Sequence, residues 1–523
     1  MTGKNFVGFD HSADGSVLFQ TFDPLLQEVN PTKFYQATEQ EVERACMLAH
    51  DAFDQLQRSS KKSRADFLEK IADEILDLDD TLISMFCKES GLTEARAILE
   101  RARTIHQLRS FSALVRKGEW VEASIDTGDP DRQPAKPDLR KMLYGIGPVV
   151  VFGASNFPLA YSTAGGDTAA AFAAGCPVIV KAHPMHAGTG ELIAEAIIRA
   201  AQATGMPNGI FSNLNALTFE VGKQLVLHPF VKAVGFTGSI QGGRALYDLA
   251  ASRPEPIPVF AEMGSTNPVV IFPSALESDL DKWASTYADS IMSGTGQFCT
   301  SPGLIFLLHS ANSERFVDVL AEKLLAHEAG VMLHPDIRSR FEEGKKDLLI
   351  HSDRSYHKAT AEGMRGKQAL MVVDAIDFIQ KEKMRHEVFG PFALVILSND
   401  IMELEMALSV LKGQLTGTIL GANEEIYSHV GILEILKQRV GRIIFNGVPT
   451  GVEVCPSMNH GGPYPASTDS RFTAVGVDAV RRFARPVVFQ NCPEELLPLE
   501  LRNQNALGII RRINGTYSLN DVN

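Results

Sequence analysis

Two rhythms of apolar and polar residues run along this chain, and the change between them divides it. Over residues 38–117 apolar positions such as Phe67, Ile71, Ile75 and Leu78 recur at helical spacing, so the stretch reads as helices. Thr38 and Glu41 open it as a capping box, hydroxyl and carboxylate each taking an orphan N–H of the first turn. A Pro- and Asp-rich stretch at 126–138 then predicts an irregular connection or a protruding arm. From Gly147 the rhythm becomes short continuous apolar runs: Val149-Val150-Val151-Phe152, Val178-Ile179-Val180, Ile210-Phe211 and Ala233-Val234-Gly235-Phe236. Such runs fit strands buried on both faces. A small-residue helix before Val178, and helices near 187–203 and 218–227, make strand and helix alternate. The expected fold is therefore α/β, with a parallel, doubly wound sheet whose ligands bind at the carboxyl ends of the strands.

Glu262 opens a second section. Pro268-Val269-Val270-Ile271-Phe272 is strand-like, 277–293 helical and 303–308 strand-like, and the alternation continues to Asn446. This predicts a second α/β domain. Beyond Ala466, Pro486-Val487-Val488-Phe489 is a strand candidate that can pair with the arm near 121–141. The expected division is 1–120 with 142–261, 262–465, and an arm and tail at 121–141 with 466–523.

Composition narrows the class. With 523 residues, 45% hydrophobic and 22% charged, the chain suits a globular protein of two or three domains. A net charge of −13 without a basic stripe argues against a nucleic-acid partner. Six cysteines stand at 46, 87, 176, 299, 455 and 492. None is in C-x-x-C spacing, so no metal site is indicated, and their scatter suits a reducing compartment. The first residues lack the apolar core of a signal peptide, and no run reaches the ~18 apolar residues that span a bilayer. The expectation is a cytoplasmic protein without a membrane partner.

Four segments carry candidate chemistry. In Gly294-Thr295-Gly296-Gln297-Phe298-Cys299-Thr300 a cysteine follows two glycines, on a turn or helix start. A helix N-terminus there would lower the thiol pKa; a buried free cysteine is the plainer reading. Asn156 follows an apolar strand and a small-residue turn, where its amide can donate to an oxyanion or close an Asx turn. Phe236-Thr237-Gly238-Ser239 suits phosphate on a helix N-terminus, although it is not G-x-G-x-x-G. Glu262-Met263-Gly264-Ser265-Thr266-Asn267-Pro268 sets a carboxylate beside a glycine, as a base or as an exposed loop residue.

The ordered set of the Asn156 turn, Lys181, Phe236-Thr237-Gly238-Ser239, Glu262, Cys299 and Glu387-Val388-Phe389-Gly390-Pro391 resembles the aldehyde dehydrogenase superfamily over nearly the whole chain. Within it, 152–158, 164–169, Asn446-Gly447-Val448-Pro449-Thr450-Gly451-Val452-Glu453 and His460-Gly461-Gly462-Pro463-Tyr464-Pro465 are most similar to the branch of α-ketoglutaric semialdehyde dehydrogenases and bacterial long-chain fatty aldehyde dehydrogenases. The resemblance implies two doubly wound α/β domains, the first binding NAD(P) and the second catalytic, plus an oligomerisation arm. It implies Cys299 as nucleophile, Glu262 as base, and Asn156 with the Cys299 N–H as oxyanion donors. It also implies Lys181, Gly238, Ser239, Glu387 and Phe389 as cofactor residues. Many relatives carry a glutamate three residues after the lysine, which favours NAD; Pro184 stands there, so the cofactor is NADP or NAD, with a lean to NADP. His183 and His186 can help bind a 2′-phosphate or be structural.

The implied substrate is a small aldehyde, α-ketoglutaric semialdehyde ahead of a fatty aldehyde. The 461–465 segment lies where the family's substrate entrance loop falls, and its Gly and Pro predict a tight loop. A CoA-acylating relative is disfavoured by Glu262, and a silent structural protein of this fold by the joint retention of Cys299, Glu262 and Asn156. Arm and tail have strand edges hard to satisfy within one subunit, which points to a homodimer or homotetramer.

Overall fold

The computed structural model describes residues 1–352, 354–357 and 363–522. Residues 353 and 358–362 of the expected second domain, and 523 of the tail, lie outside it. The helical rhythm becomes four helices, Glu39–Gln57, Lys61–Leu76, Asp79–Ser90 and Glu94–Lys117. The first is capped reciprocally, the Thr38 N–H donating to Glu41 Oε2 at 2.7 Å and the Glu41 N–H to Thr38 Oγ1 at 3.2 Å. Phe67, Ile71 and Ile75 are buried, and Phe67 meets Phe172 edge-on at 5.0 Å. Phe172 belongs to the Ala-rich helix Gly166–Ala174, whose small side chains let it sit wholly inside the core.

The apolar runs form a seven-stranded sheet in the order Val259–Glu262, Ala233–Thr237, Val149–Phe152, Val178–Lys181, Phe211–Leu214, Asn5–Val7, Asp10–Ser12. The first five strands are parallel; the N-terminal hairpin adds antiparallel to Phe211–Leu214. That hairpin is too short and mixed to show as an apolar run. In register, Lys181 lies beside Phe152 and Thr237 beside Glu262, so the candidate residues share the carboxyl edge. A second seven-stranded sheet runs Arg354–His357, Ala369–Asp374, Phe392–Ser398, Leu304–Leu308, Val269–Ile271, Gln414–Leu420, Val440–Phe445, parallel except for the first. Among the described residues no helix is long and apolar enough to cross a membrane.

The arm is more regular than its composition suggests. Ser124–Asp126 and Leu139–Gly145 are strands of a five-stranded sheet, ordered Ala484–Gln490, Leu139–Gly145, Ser124–Asp126, Arg511–Ile513, Thr516–Ser518. The tail strand pairs antiparallel with Leu139–Gly145, Val487 opposite Met142. Arm and tail thus satisfy their inner edges within one chain, the tail strand pairing with the arm as expected. Arg140 fixes the return of the tail, donating to the Leu501 carbonyl at 2.6 Å and to Asn503 Oδ1 at 2.7 Å.

Candidate active site

Cys299 sits on a turn between the short 3-10 segment Ser293–Gly296 and the strand Leu304–Leu308. No helix begins there, so the expected helix N-terminus does not act on the thiol. Burial pushes the thiol up to about 12, and the charges of Glu262 and Glu387 push the same way. Arg103 and the Cys299 N–H pull against them. The turn is nonetheless held firmly. Gly294, Thr295 and Gly296 all have positive φ, which is costly for β-branched Thr295. A Cβ on Gly296 would lie 2.2 Å from the Gly390 backbone, so only glycine lets the two segments touch.

Asn267, which no local pattern singles out, anchors the nucleophile. It is fully buried with φ 47°, and its Nδ2 donates to the Cys299 carbonyl at 2.8 Å and the Ser301 carbonyl at 2.9 Å. Thr416 Oγ1 in turn donates to its Oδ1 at 2.9 Å. Its place in the Glu262–Pro268 segment is the one available signal; the contact joins residues 32 apart in sequence.

Asn156 lies in the loop after Val149–Phe152, and its Nδ2 donates to the Gln297 carbonyl at 2.8 Å, two residues before the cysteine. Glu262 ends its strand, buried, with Oε2 unpartnered. Burial raises its carboxyl well above the usual range, Arg482 opposing and Asp167 adding. A Cβ on Gly461 would stand 3.5 Å from Glu262 Oε1. The preceding residue, His460, is buried, and its Nε2 lies 3.6 Å from Cys299 Sγ. Burial, with the charges of Arg103 and Arg442, lowers this imidazole to about 3, so it is neutral. Nothing within the quoted His-Gly-Gly-Pro-Tyr-Pro motif marks the histidine as a site residue. Only the return of the loop onto the turn reveals it.

Cys299, Asn156, Glu262 and His460 are thus brought together. The remaining candidates spread away from them. The Glu387 carboxylate accepts from the Ser265 N–H at 3.4 Å, and burial pushes it up to about 7. With Phe389 it lines a cleft that also takes in Ser265, Thr266 and Phe298. The Gly238 N–H donates to the Glu262 carbonyl at 3.0 Å, and Ser239 caps the helix Ile240–Ala251, its Oγ accepting from the Gly242 N–H at 3.1 Å. Lys181 ends the strand Val178–Lys181, its amine lowered to about 8 by burial, and no acceptor for it is found among the described residues. An orphan ammonium and a capped helix start on the carboxyl edge of the first sheet, with the buried Glu387 carboxyl just before Phe392–Ser398 of the second, suit a dinucleotide. His183 and His186 are structural: they stack at 5.0 Å, His186 meets the Ala154 carbonyl at 2.9 Å, and burial lowers both pKa values, leaving no charge for a phosphate.

The aldehyde dehydrogenase family profile matches residues 11–468. The chain belongs to the aldehyde dehydrogenase family. It is 46% identical over 522 residues to the alpha-ketoglutaric semialdehyde dehydrogenase 2 of Azospirillum brasilense, covering 98% of this chain and 99% of that one. It is 41% identical to the alpha-ketoglutaric semialdehyde dehydrogenase of Acinetobacter baylyi, covering 99% of each. Among solved structures, a mutant of aldehyde dehydrogenase C from Pseudomonas syringae, in complex with NAD+ and octanal, superposes with a TM-score of 0.81. The identity is 18%, covering 94% of this chain and 97% of that one. This aldehyde dehydrogenase therefore has the two-domain α/β fold of its family.

Proposed function

We propose that this aldehyde dehydrogenase oxidises α-ketoglutaric semialdehyde to 2-oxoglutarate with a nicotinamide dinucleotide. The observation that carries the substrate is the full-length likeness to two proteins named for it, at 46% and 41% identity. Cys299 Sγ, its proton lost to solvent, attacks the aldehyde carbon as the thiolate, with His460 Nε2 3.6 Å from the sulfur. The oxyanion is met by the Cys299 N–H and the second N–H of the Asn156 amide, the first being spent on Gln297. A bound nicotinamide would supply the acceptor for the hydride that leaves the substrate carbon. A thioester on Cys299 remains. Glu262, once ionised, takes a proton from water, which attacks the thioester carbonyl and releases the acid and the thiolate.

In this reading Lys181, Gly238, Ser239, Glu387 and Phe389 hold the cofactor, on 1–120 with 142–261 and the facing edge of 262–465. NADP stands ahead of NAD because Pro184 leaves no carboxylate near the ribose to repel a 2′-phosphate; Lys181 is then the cation available to it. The six cysteines are all free, in keeping with a cytoplasmic setting. A kcat/KM panel of α-ketoglutaric semialdehyde, succinic semialdehyde and decanal, each with NADP and NAD, tests both choices. The semialdehyde should exceed decanal by at least about tenfold, the scale of one well-made charged contact. A preference for decanal overturns the substrate, and a preference for NAD overturns the cofactor.

A further inference from the structure

Four arginines surround the Cys299 pocket, and they differ in what balances their charge. Arg96 pairs with Glu100 at 3.0 Å and lies over the rings of Phe157 and Phe298, at 4.4 and 4.7 Å. Arg482 pairs with Asp167 at 2.7 Å. Arg103 and Arg442 bond neutral oxygens instead. Arg103, on the helix Glu94–Lys117, donates to the Val452 carbonyl and to Tyr161 Oη, both at 3.0 Å. Arg442, on the strand Val440–Phe445, donates to the carbonyls of Gly451 at 3.1 Å and Pro449 at 2.6 Å. Among the described residues neither has a carboxylate partner, and the Nε of each is buried without an acceptor.

These two cations donate to carbonyls of one loop, 449–452, so the fold brings like charges to one short segment without a carboxylate counter-ion among the described residues. Such an arrangement is costly in a half-buried place until an anion joins it. It lies beside the reacting atoms. Tyr161, which accepts from Arg103, has its ring 6.1 Å from that of His460, and His460 touches Cys299. Gly441, next to Arg442, packs so tightly on Gly461 that a Cβ would be 1.9 Å from its carbonyl oxygen. Both guanidinium charges are felt by His460, and Arg103 is felt by the Cys299 thiol, which places their field inside the pocket.

We infer that Arg103 and Arg442 together form the receptor for a carboxylate at the far end of the substrate, and so select anionic semialdehydes over neutral aldehydes of the same length. Planar guanidinium forks suit a carboxylate held in one orientation, and two of them fix the chain so that its other end meets Cys299. The inference rests on the semialdehyde reading above, since an uncharged substrate has no use for the pair.

The test compares α-ketoglutaric semialdehyde with pentanal, a neutral aldehyde of equal chain length, in wild type, Arg103→Gln and Arg442→Gln. Each substitution should lower kcat/KM for the semialdehyde by about 10- to 100-fold, mainly through KM, and leave pentanal within about threefold. If both substrates fall together, the arginines only clamp the loop and the inference is overturned. If wild type oxidises pentanal as well as the semialdehyde, the substrate reading itself fails, before any variant is made. A measurement on the wild-type enzyme covers the case of a variant that does not fold. Phenylglyoxal should label Arg103 and Arg442, and 2-oxoglutarate should shield both; labelling unaffected by 2-oxoglutarate overturns the inference.

Discussion

Cys299 must become a thiolate in a pocket that opposes charge. Burial and the carboxylates of Glu262 and Glu387 all push its thiol upward, to about 12. The same burial raises Glu262 well above the usual carboxylate range and brings Glu387 to about 7, so protonation of either carboxyl as pH falls removes its repulsion of the thiolate. The signs give a definite expectation. Ionised Glu262 raises the thiol pKa, so Glu262→Gln should lower it, and iodoacetamide should alkylate Cys299 faster in the variant at alkaline pH. Equal rates from pH 7 to 10 would show that the two groups do not interact. The same variant should still give a burst of reduced cofactor and then stall, because attack on the aldehyde does not need the base and hydrolysis does. In wild type, deacylation needs Glu262 ionised, so kcat should climb as pH rises through its elevated pKa; steady turnover by Glu262→Gln at the wild-type rate would assign the base elsewhere.

Among the elements, the 460–465 loop does most to assemble the site. It carries His460 to the thiol and Gly461 to Glu262, and it is fixed by backbone packing rather than by side chains. A Cβ on Gly413 would lie 1.8 Å from the Pro463 carbonyl oxygen, on Gly441 1.9 Å from that of Gly461, and on Gly462 2.2 Å from that of Gln414. Gly441→Ala should therefore displace the loop. The expected cost is about 1–3 kcal/mol in stability, the usual scale of overpacking. The expected fall in kcat/KM is tenfold or more, because His460 and Gly461 move from the reacting groups. Thermal melting and kinetics on one preparation check this. Wild-type kcat/KM in a destabilised variant would show that the loop position is not tied to turnover.

For the whole molecule, the five-stranded sheet closes its inner edges within the chain but leaves the outer side of Ala484–Gln490 open. This strand is seven residues long, and Val488 is 55% exposed. Pro486 removes one donor, yet the remaining N–H and C=O groups still offer a template for another chain. The expectation is a homodimer or homotetramer. Light scattering at micromolar concentration should read at least twice the chain mass, and a monomer would refute it. Val488 pairs with Lys141 at a position whose N–H faces the open side, so Val488→Pro should weaken the assembly if the open edge is the contact, whereas an unchanged mass would move the interface elsewhere.

By itself the sequence determined the alternation of strand and helix, because strands buried on both faces must be continuous apolar runs and helices between them must repeat near 3.6 residues. It also determined which residue types end those strands, so Asn156, Lys181, Gly238 and Ser239 were legible as an edge, whereas Glu262, read as opening the next section, was placed at the end of Val259–Glu262 only by the fold. The capping box at Thr38 was legible for the same reason, being a local contact between neighbours in sequence. Tertiary structure alone decided what lies across from what. Asn267 behind Cys299, His460 against its sulfur and Arg103 on the Val452 carbonyl are contacts between residues far apart in the chain, which no local spacing encodes. It also decided the charge states. The local sequence points to a helix start that would lower the Cys299 thiol; the turn has no helix, and the density of packed apolar atoms around it raises the thiol instead. Desolvation depends on everything that surrounds a group, and so belongs to the folded molecule rather than to any segment of its sequence.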